Sequence, residues 1–169
     1  MKNIFLIGFM GSGKSTISKM LAEKLNITRV EMDEMIVQEQ SMPITEIFEK
    51  FGETHFRNIE TDFVRRLQEQ DGVVVSCGGG AVLREENRSM MKQSGVIVLL
   101  TAKPETILER VKYSTDRPIL NGNMTVEYIS GLMEKRRACY EEAADFTVAT
   151  DDKSSEEICL EILNKIEQN

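Results

Sequence analysis

Basic residues are in the minority in this chain of 169 residues: 21 Lys and Arg stand against 28 Asp and Glu, a formal net charge of −7 at pH 7. Such a balance gives no support for nonspecific binding to nucleic acid or to an anionic membrane surface. Any anionic ligand has to be held by local arginines and backbone amides, against the overall field. Cysteine is scarce too. The three present, Cys77, Cys139 and Cys159, make no CxxC pair and no metal-type spacing, so free thiols in a reducing cytosol are expected. Long apolar runs are missing, and nothing approaches the roughly 20 residues that cross a bilayer. The opening MKNIFLIGFMG has the charge and apolar run of a signal peptide. That run is too short for an h-region and leads into glycines rather than a cleavage site, so a cytoplasmic protein away from membranes is expected. His55 is the only histidine, and a solvated or structural role is expected for it. There is no internal repeat and no low-complexity linker, so residues 1–169 read as one compact domain, long enough to bury a core without disulfides.

What is present is an alternation. Short apolar runs at Ile4–Ile7, Val73–Val75, Val96–Leu100 and Phe146–Ala149, with a weaker one at Thr28–Met32, read as strands. Helical periodicity falls between and after them, at Lys14–Leu25, Thr54–Gln70, Pro104–Lys112, Val126–Ala143 and Ser154–Ile166. Strands alternating with helices predict an α/β fold, with a five-stranded parallel sheet covered on both faces as the middle of a three-layer sandwich. Two stretches break the rhythm. Residues 33–53 hold short helical pieces, Glu34–Gln40 and Ile44–Phe51, on either side of Met42-Pro43. Residues 113–123 are polar and turn-rich around Arg117-Pro118. Both read as insertions at one end of the sheet, where substrate loops and lids are commonly carried.

GFMGSGKST, Gly8 to Thr16, follows the first strand and opens the first helix, and its first eight residues fit G-x-x-x-x-G-K-[ST]. The glycines let successive N–H groups turn inward on phosphate oxygens, and the helix N-terminus adds its dipole. Gly11, Ser12, Gly13, Lys14, Ser15 and Thr16 are therefore expected to hold a nucleoside triphosphate. Lys14 would reach the β/γ-phosphates, and the Ser15 hydroxyl would ligate Mg²⁺.

Phosphoryl transfer also needs an acceptor site, and three clusters can build one. Asp33, in Glu31-Met32-Asp33, can orient an acceptor hydroxyl and take its proton, hold Mg²⁺ through water, or simply cap the helix that follows. Arg57 can pair with Glu60 along a helix, or aim its fork at a substrate carboxylate with Glu60 orienting it. Gly78, Gly79 and Gly80 follow an apolar strand and can let a small rigid ligand lie on the backbone, or form a plain turn. Arg110, Arg117 and the pair Arg136-Arg137 are candidate anion contacts in an acidic chain, although each alone is also an ordinary surface charge.

In order, these pieces resemble the shikimate kinase family of the nucleoside-monophosphate-kinase-like P-loop group. The resemblance covers nearly the whole chain through GFMGSGKST, MD at 32–33, ITEIFEKFGETHFRNIE at 44–60, SCGGG at 76–80, DRPIL at 116–120 and EKRRACY at 134–140. The phosphate loop alone is shared by many enzymes, whereas the ordered set is specific. The resemblance implies ATP-dependent phosphorylation of the 3-hydroxyl of shikimate, on the route to chorismate and the aromatic amino acids. It implies one Mg²⁺ with ATP and the P-loop kinase fold, with a substrate-binding region over 33–61 and a lid over 112–123. By the same resemblance, Asp33 binds the shikimate hydroxyls and can act as base. Arg57 and Arg136 clamp its carboxylate, and Gly78, Gly79 and Gly80 contact the ring. Arg117 reaches the ATP phosphates from the lid, and Arg110 flanks the adenine. Asp152 falls in the adenine loop, where the match is weak. Lys14, Asp33 and Arg117 are the implied catalytic residues, shikimate and ATP the partners, and a monomer is expected. One position departs from the pattern: Glu31 stands where the family usually carries Asp, which keeps the charge and lengthens the reach by a methylene. That leaves a water-mediated Mg²⁺ contact there open. Two other readings compete, a gluconate or nucleoside-monophosphate kinase on the same scaffold and an ATP-binding regulator without turnover. Intact Lys14, Asp33 and Arg117 speak against the second.

Overall fold

The computed structural model describes residues 1–112 and 125–169. Among them, strands β1 (Asn3–Ile7), β2 (Thr28–Glu31), β3 (Val73–Ser76), β4 (Gly95–Thr101) and β5 (Phe146–Ala149) form one sheet in the order β2-β3-β1-β4-β5. Every neighbouring pair is parallel. Its helices are α1 (Lys14–Leu25), α2 (Met32–Gln40), α3 (Ile44–Phe51), α4 (Glu53–Leu67), α5 (Glu85–Ser94), α6 (Pro104–Val111), α7 (Val126–Ala143) and α8 (Ser155–Gln168). The lid expected over 112–123, with Arg117 in it, lies outside the described residues except for Lys112.

The sheet is covered on both faces because its strands are apolar on both, and side chains alternate faces along a strand. Phe5, Ile7, Val73, Val75, Ile97 and Leu99 pack with Ile36, Ile47, Phe63, Met91, Ile107 and Ile129, drawn from α2 to α7. Ile4, Leu6, Val74, Val98, Leu100 and Val148 pack instead against Ile17 and Leu21 of α1 and Ile158, Cys159 and Ile162 of α8. The result is a three-layer α/β sandwich with unequal outer layers.

Element ends shift by a few residues from the sequence expectation, and one helix differs outright. The sequence reading assigns no element to 85–94, where α5 stands. Of its residues only Asn87, Met90 and Met91 are buried, so it carries no apolar stripe at helical spacing that periodicity can register. Asp33 also sits elsewhere than a cap would. Glu31 is the N-cap of α2 and Asp33 lies inside its first turn, so the capping alternative for Asp33 is set aside.

Register brings the functional loops together. Leu6 of β1 is level with Ser76 of β3, and Ser76 is level with Glu31 of β2. Three loops therefore leave the sheet side by side at its carboxyl edge: Gly8–Gly13, Gly78–Gly80 and the turn into α2. Strand order reverses at β1, which lies between β3 and β4, and such a reversal opens a crevice beyond the strand ends.

Candidate active site

The phosphate loop starts where β1 stops. Gly8, Gly11 and Gly13 have φ of 149°, 79° and 102°, a region in which a Cβ is strained. Lys14 is the first residue of α1, and its Nζ donates to the Gly8 and Phe9 carbonyls at 2.7 and 3.0 Å. Ser15 and Thr16 are exposed at the mouth, while Ser12 is buried. Gly11, Gly13, Lys14, Ser15 and Thr16 line a cleft of about 320 Å³ together with Glu31, Asp33, Ser76, Cys77, Gly79 and Arg110.

Glu31 stands beside Ser15. Burial raises its carboxyl pKa, and the Ser15 and Ser76 hydroxyls and Arg29 oppose the rise. Arg29 and Glu31 are two apart on β2 and so share a face. Arg29 holds Glu31 at 2.6 Å, and it also donates to the Ser18 hydroxyl at 2.9 Å and the Ser15 carbonyl at 3.2 Å. A strand is thus tied to the first turn of the phosphate-binding helix. Arg29 is absent from the sequence-based set, and its i,i+2 relation to Glu31 was the available signal.

A second group of charges lies beside the cleft, around Gly78, Gly79 and Gly80. Arg57, on α4, is 9% exposed and donates to Glu60 at 2.6 Å and to Glu53 at 3.1 Å. The pairing along the helix expected of Arg57 is present. Glu60 is 1% exposed. Burial pushes its pKa up to about 7, Asp33 adds to the rise, and Arg57 and Arg136 oppose it. Arg136, on α7, is 8% exposed and lies over the Phe9 ring at 5.8 Å. Two carboxylates and two guanidinium groups are thus packed at one end of a sheet whose interior is otherwise apolar.

The three glycines explain how they fit. None has a positive φ, so space is what requires glycine here. A Cβ on Gly78 would stand 2.7 Å from Asp33 Oδ1 and 3.0 Å from Glu60 Oε2, and one on Gly79 would stand 3.2 Å from Arg136 Nη1. At Gly80 it would overlap the Arg57 guanidinium. The three glycines thus leave room for four charged side chains, and a Cβ on Gly79 would also stand 3.7 Å from the Met10 nitrogen of the phosphate loop. Tyr140, one turn after Arg136, donates its hydroxyl to the Gly79 carbonyl at 2.5 Å. Beneath the loop Cys77 is fully buried and burial pushes its thiol well up, which makes it an inert thiol.

Arg110 joins the phosphate loop to the far edge of the sheet, donating to the Gly11 carbonyl at 2.9 Å and to Thr150 Oγ1 at 3.2 Å. Asp152 is not drawn in. It is exposed, with φ 56°, in the turn after β5 and is not among the cleft's lining residues. Its neighbour Asp151 accepts from the Lys103 amide at 3.0 Å and the Thr106 hydroxyl at 2.7 Å, capping α6.

The phosphate loop and a group of charges that includes two buried arginines thus stand side by side at the carboxyl edge of the sheet. The family model for shikimate kinase matches residues 10–167. The chain belongs to the shikimate kinase family. A shikimate kinase from Thermodesulfovibrio yellowstonii is 42% identical over 168 residues, which cover 99% of this chain and 96% of that relative. The solved structure of a shikimate kinase from Acinetobacter baumannii in complex with shikimate has a TM-score of 0.95 at 33% identity, covering 100% of this chain and 94% of that one. A gluconokinase from Sinorhizobium meliloti matches at a TM-score of 0.58 and 21% identity, covering 99% and 92%, a likeness of fold alone. Members of the shikimate kinase family are ATP-dependent small-molecule kinases, and this chain is one of them. Among the described residues no helix is long and apolar enough to cross a membrane.

Proposed function

We propose that this protein transfers the γ-phosphoryl group of ATP to the 3-hydroxyl of shikimate, giving 3-phosphoshikimate and ADP. The observation that carries the reading is the meeting of the two half-sites at Gly79, which approaches the phosphate loop on one side and Arg136 on the other. Shikimate is small, anionic and polyhydroxylated, and it calls for cationic forks for its carboxylate, a carboxylate for its hydroxyls and bare backbone along its ring.

In this reading Arg57 and Arg136 clamp the carboxylate, held in place by Glu60, Glu53 and Phe9. Such charge-assisted forks fix orientation as well as position. Asp33 orients the acceptor hydroxyl and takes its proton as the new P–O bond forms and the bond to the ADP oxygen breaks. Phosphoryl transfer depends on positioning and charge stabilisation rather than covalent catalysis. Lys14 therefore swings from the Gly8 and Phe9 carbonyls onto the β/γ-phosphates. Gly11, Ser12, Gly13, Ser15 and Thr16 bind those phosphates, Arg110 flanks the adenine, and Asp152 belongs to the adenine loop. The region 33–61 serves as the substrate-binding part of a single domain spanning 1–169. The lid role for 112–123, with Arg117 serving the phosphates, is carried over from the family resemblance.

Magnesium suits the donor set. The Ser15 hydroxyl and the Glu31 carboxylate are hard oxygen donors side by side, and Mg²⁺ is commonly held by one or two such groups plus substrate phosphates. When bound it would neutralise charge on the transferring group. A cytoplasmic monomer is the proposed state.

The experiment is a coupled ATP-consumption assay with shikimate, gluconate and a panel of nucleoside monophosphates. Turnover of shikimate far above the others is expected; preference for gluconate or a monophosphate, or ATP binding with no turnover at all, would overturn the assignment.

A further inference from the structure

Three glycines in a row are the least constrained backbone a chain can have, yet here they carry the contacts between both half-sites. Turn bonds hold the flanks. The Ala81 amide donates to the Gly78 carbonyl at 3.0 Å and the Leu83 amide to the Gly80 carbonyl at 3.2 Å. The middle carbonyl, that of Gly79, is held from α7 by Tyr140, across 61 residues of sequence.

We propose that Tyr140 is a positioning residue of the acceptor site, its hydroxyl fixing the Gly79–Gly80 peptide plane and the surface on which Arg136 rests. The proposal rests on the acceptor reading given above and adds the device that keeps that site in shape. The peptide is planar and trans, so its carbonyl and N–H point in opposite directions. Holding the Gly79 carbonyl against Tyr140 therefore turns the Gly80 N–H to the opposite side of the plane, and it blocks the peptide rotation that glycines otherwise permit. Arg136 and Tyr140 are four apart on α7, hence on one face, and both meet Gly79. One helix thus supplies the cation and the tether for the backbone beside it.

Packing by itself would be served by phenylalanine. Tyr140 is 6% exposed, and a buried hydroxyl is costly unless it is bonded. The hydroxyl is retained where it donates to site backbone and stands within bonding reach of the Arg136 guanidinium.

Tyr140→Phe removes one oxygen and keeps the ring. Losing one hydrogen bond that positions the acceptor is expected to raise KM for shikimate, and its Kd by calorimetry, roughly tenfold, while KM for ATP stays within about twofold. The melting temperature should change little. Hydrogen exchange at the Gly79 and Gly80 amides should quicken in the unliganded variant. Unchanged shikimate constants would overturn the proposal. So would equal rises in both KM values with a large fall in melting temperature, which would make Tyr140 a packing residue only. If the wild-type protein failed to turn over shikimate, the functional assignment would fall instead. Amide exchange in the variant would then still decide the tether, unchanged rates counting against it.

Discussion

At Gly80 the side chain is missing because an arginine lies where it would stand. A methyl there would overlap the Arg57 guanidinium, which is the far end of a flexible side chain and can move. The folded state therefore accommodates Gly80→Ala, and the cost appears in function. Arg57 is pushed off its Glu60 and Glu53 partners and out of register with the acceptor. Loss of one charge-assisted bond of about 1.5–3 kcal/mol corresponds to a rise in shikimate KM of roughly tenfold or more, with ATP affinity unchanged. Steady-state kinetics with each substrate varied in turn checks this, and an unaltered shikimate KM would count against it. Glu60 makes a prediction of a different kind. The unfolded chain releases this proton near the ordinary 4.5 and the folded protein near about 7. Between those values the folded state binds more protons than the unfolded one, so stability falls as pH rises through that window. Glu60→Gln removes the titration. The melting temperature of the wild type minus that of the variant should therefore decline from pH 4.5 to 7 and level off above; a difference constant with pH would refute it.

The strands were legible as continuous apolar runs, but such a run does not tell its two faces apart; in the fold, even-numbered residues of β1 meet α1 and α8, and odd-numbered ones meet the other layer. Helices were legible in proportion to their apolar stripe. α7 keeps its expected bounds, opened by Thr125, whose hydroxyl accepts from the Tyr128 amide. α5 escaped notice because two adjacent methionines do most of its packing. α6 depends on a residue far from it in sequence. Burial alone would raise the Asp151 carboxyl, yet the Thr106 hydroxyl and Lys103 amide outweigh it and hold its pKa below the usual value. Asp151→Ala takes away that cap, and a destabilisation of about 1 kcal/mol is expected, measurable by urea unfolding. Because α6 also carries Arg110 onto the Gly11 carbonyl, a modest rise in ATP KM should accompany the loss. An unfolding midpoint identical to the wild type would show that the cap contributes nothing.

For the whole molecule, a net charge of −7 sets a repulsive field for two anionic substrates, and attraction is confined to a few buried or half-buried cations. Added salt screens the long-range part first. The kcat/KM for shikimate is accordingly expected to stay flat or rise from low to moderate ionic strength. A steep decline would mean that the long-range field attracts its substrates. The same contrast between local and distant order separates what could be read from sequence and what could not. Contiguous patterns were enough for the phosphate loop, the alternation of strands and helices, the parallel sheet and the ordered motif set, because each is written within one turn, one strand or one short repeat. Which charges share the cleft depends on strand order and register, which bring Leu6, Ser76 and Glu31 level. Folding alone decided that Gly78, Gly79 and Gly80 make room for Asp33 and Glu60, Arg136 and Arg57 respectively, that Tyr140 grips Gly79, and that Asp151 rather than Asp152 is engaged by α6. Those contacts join residues up to 61 positions apart, and no local spacing encodes the distance between them.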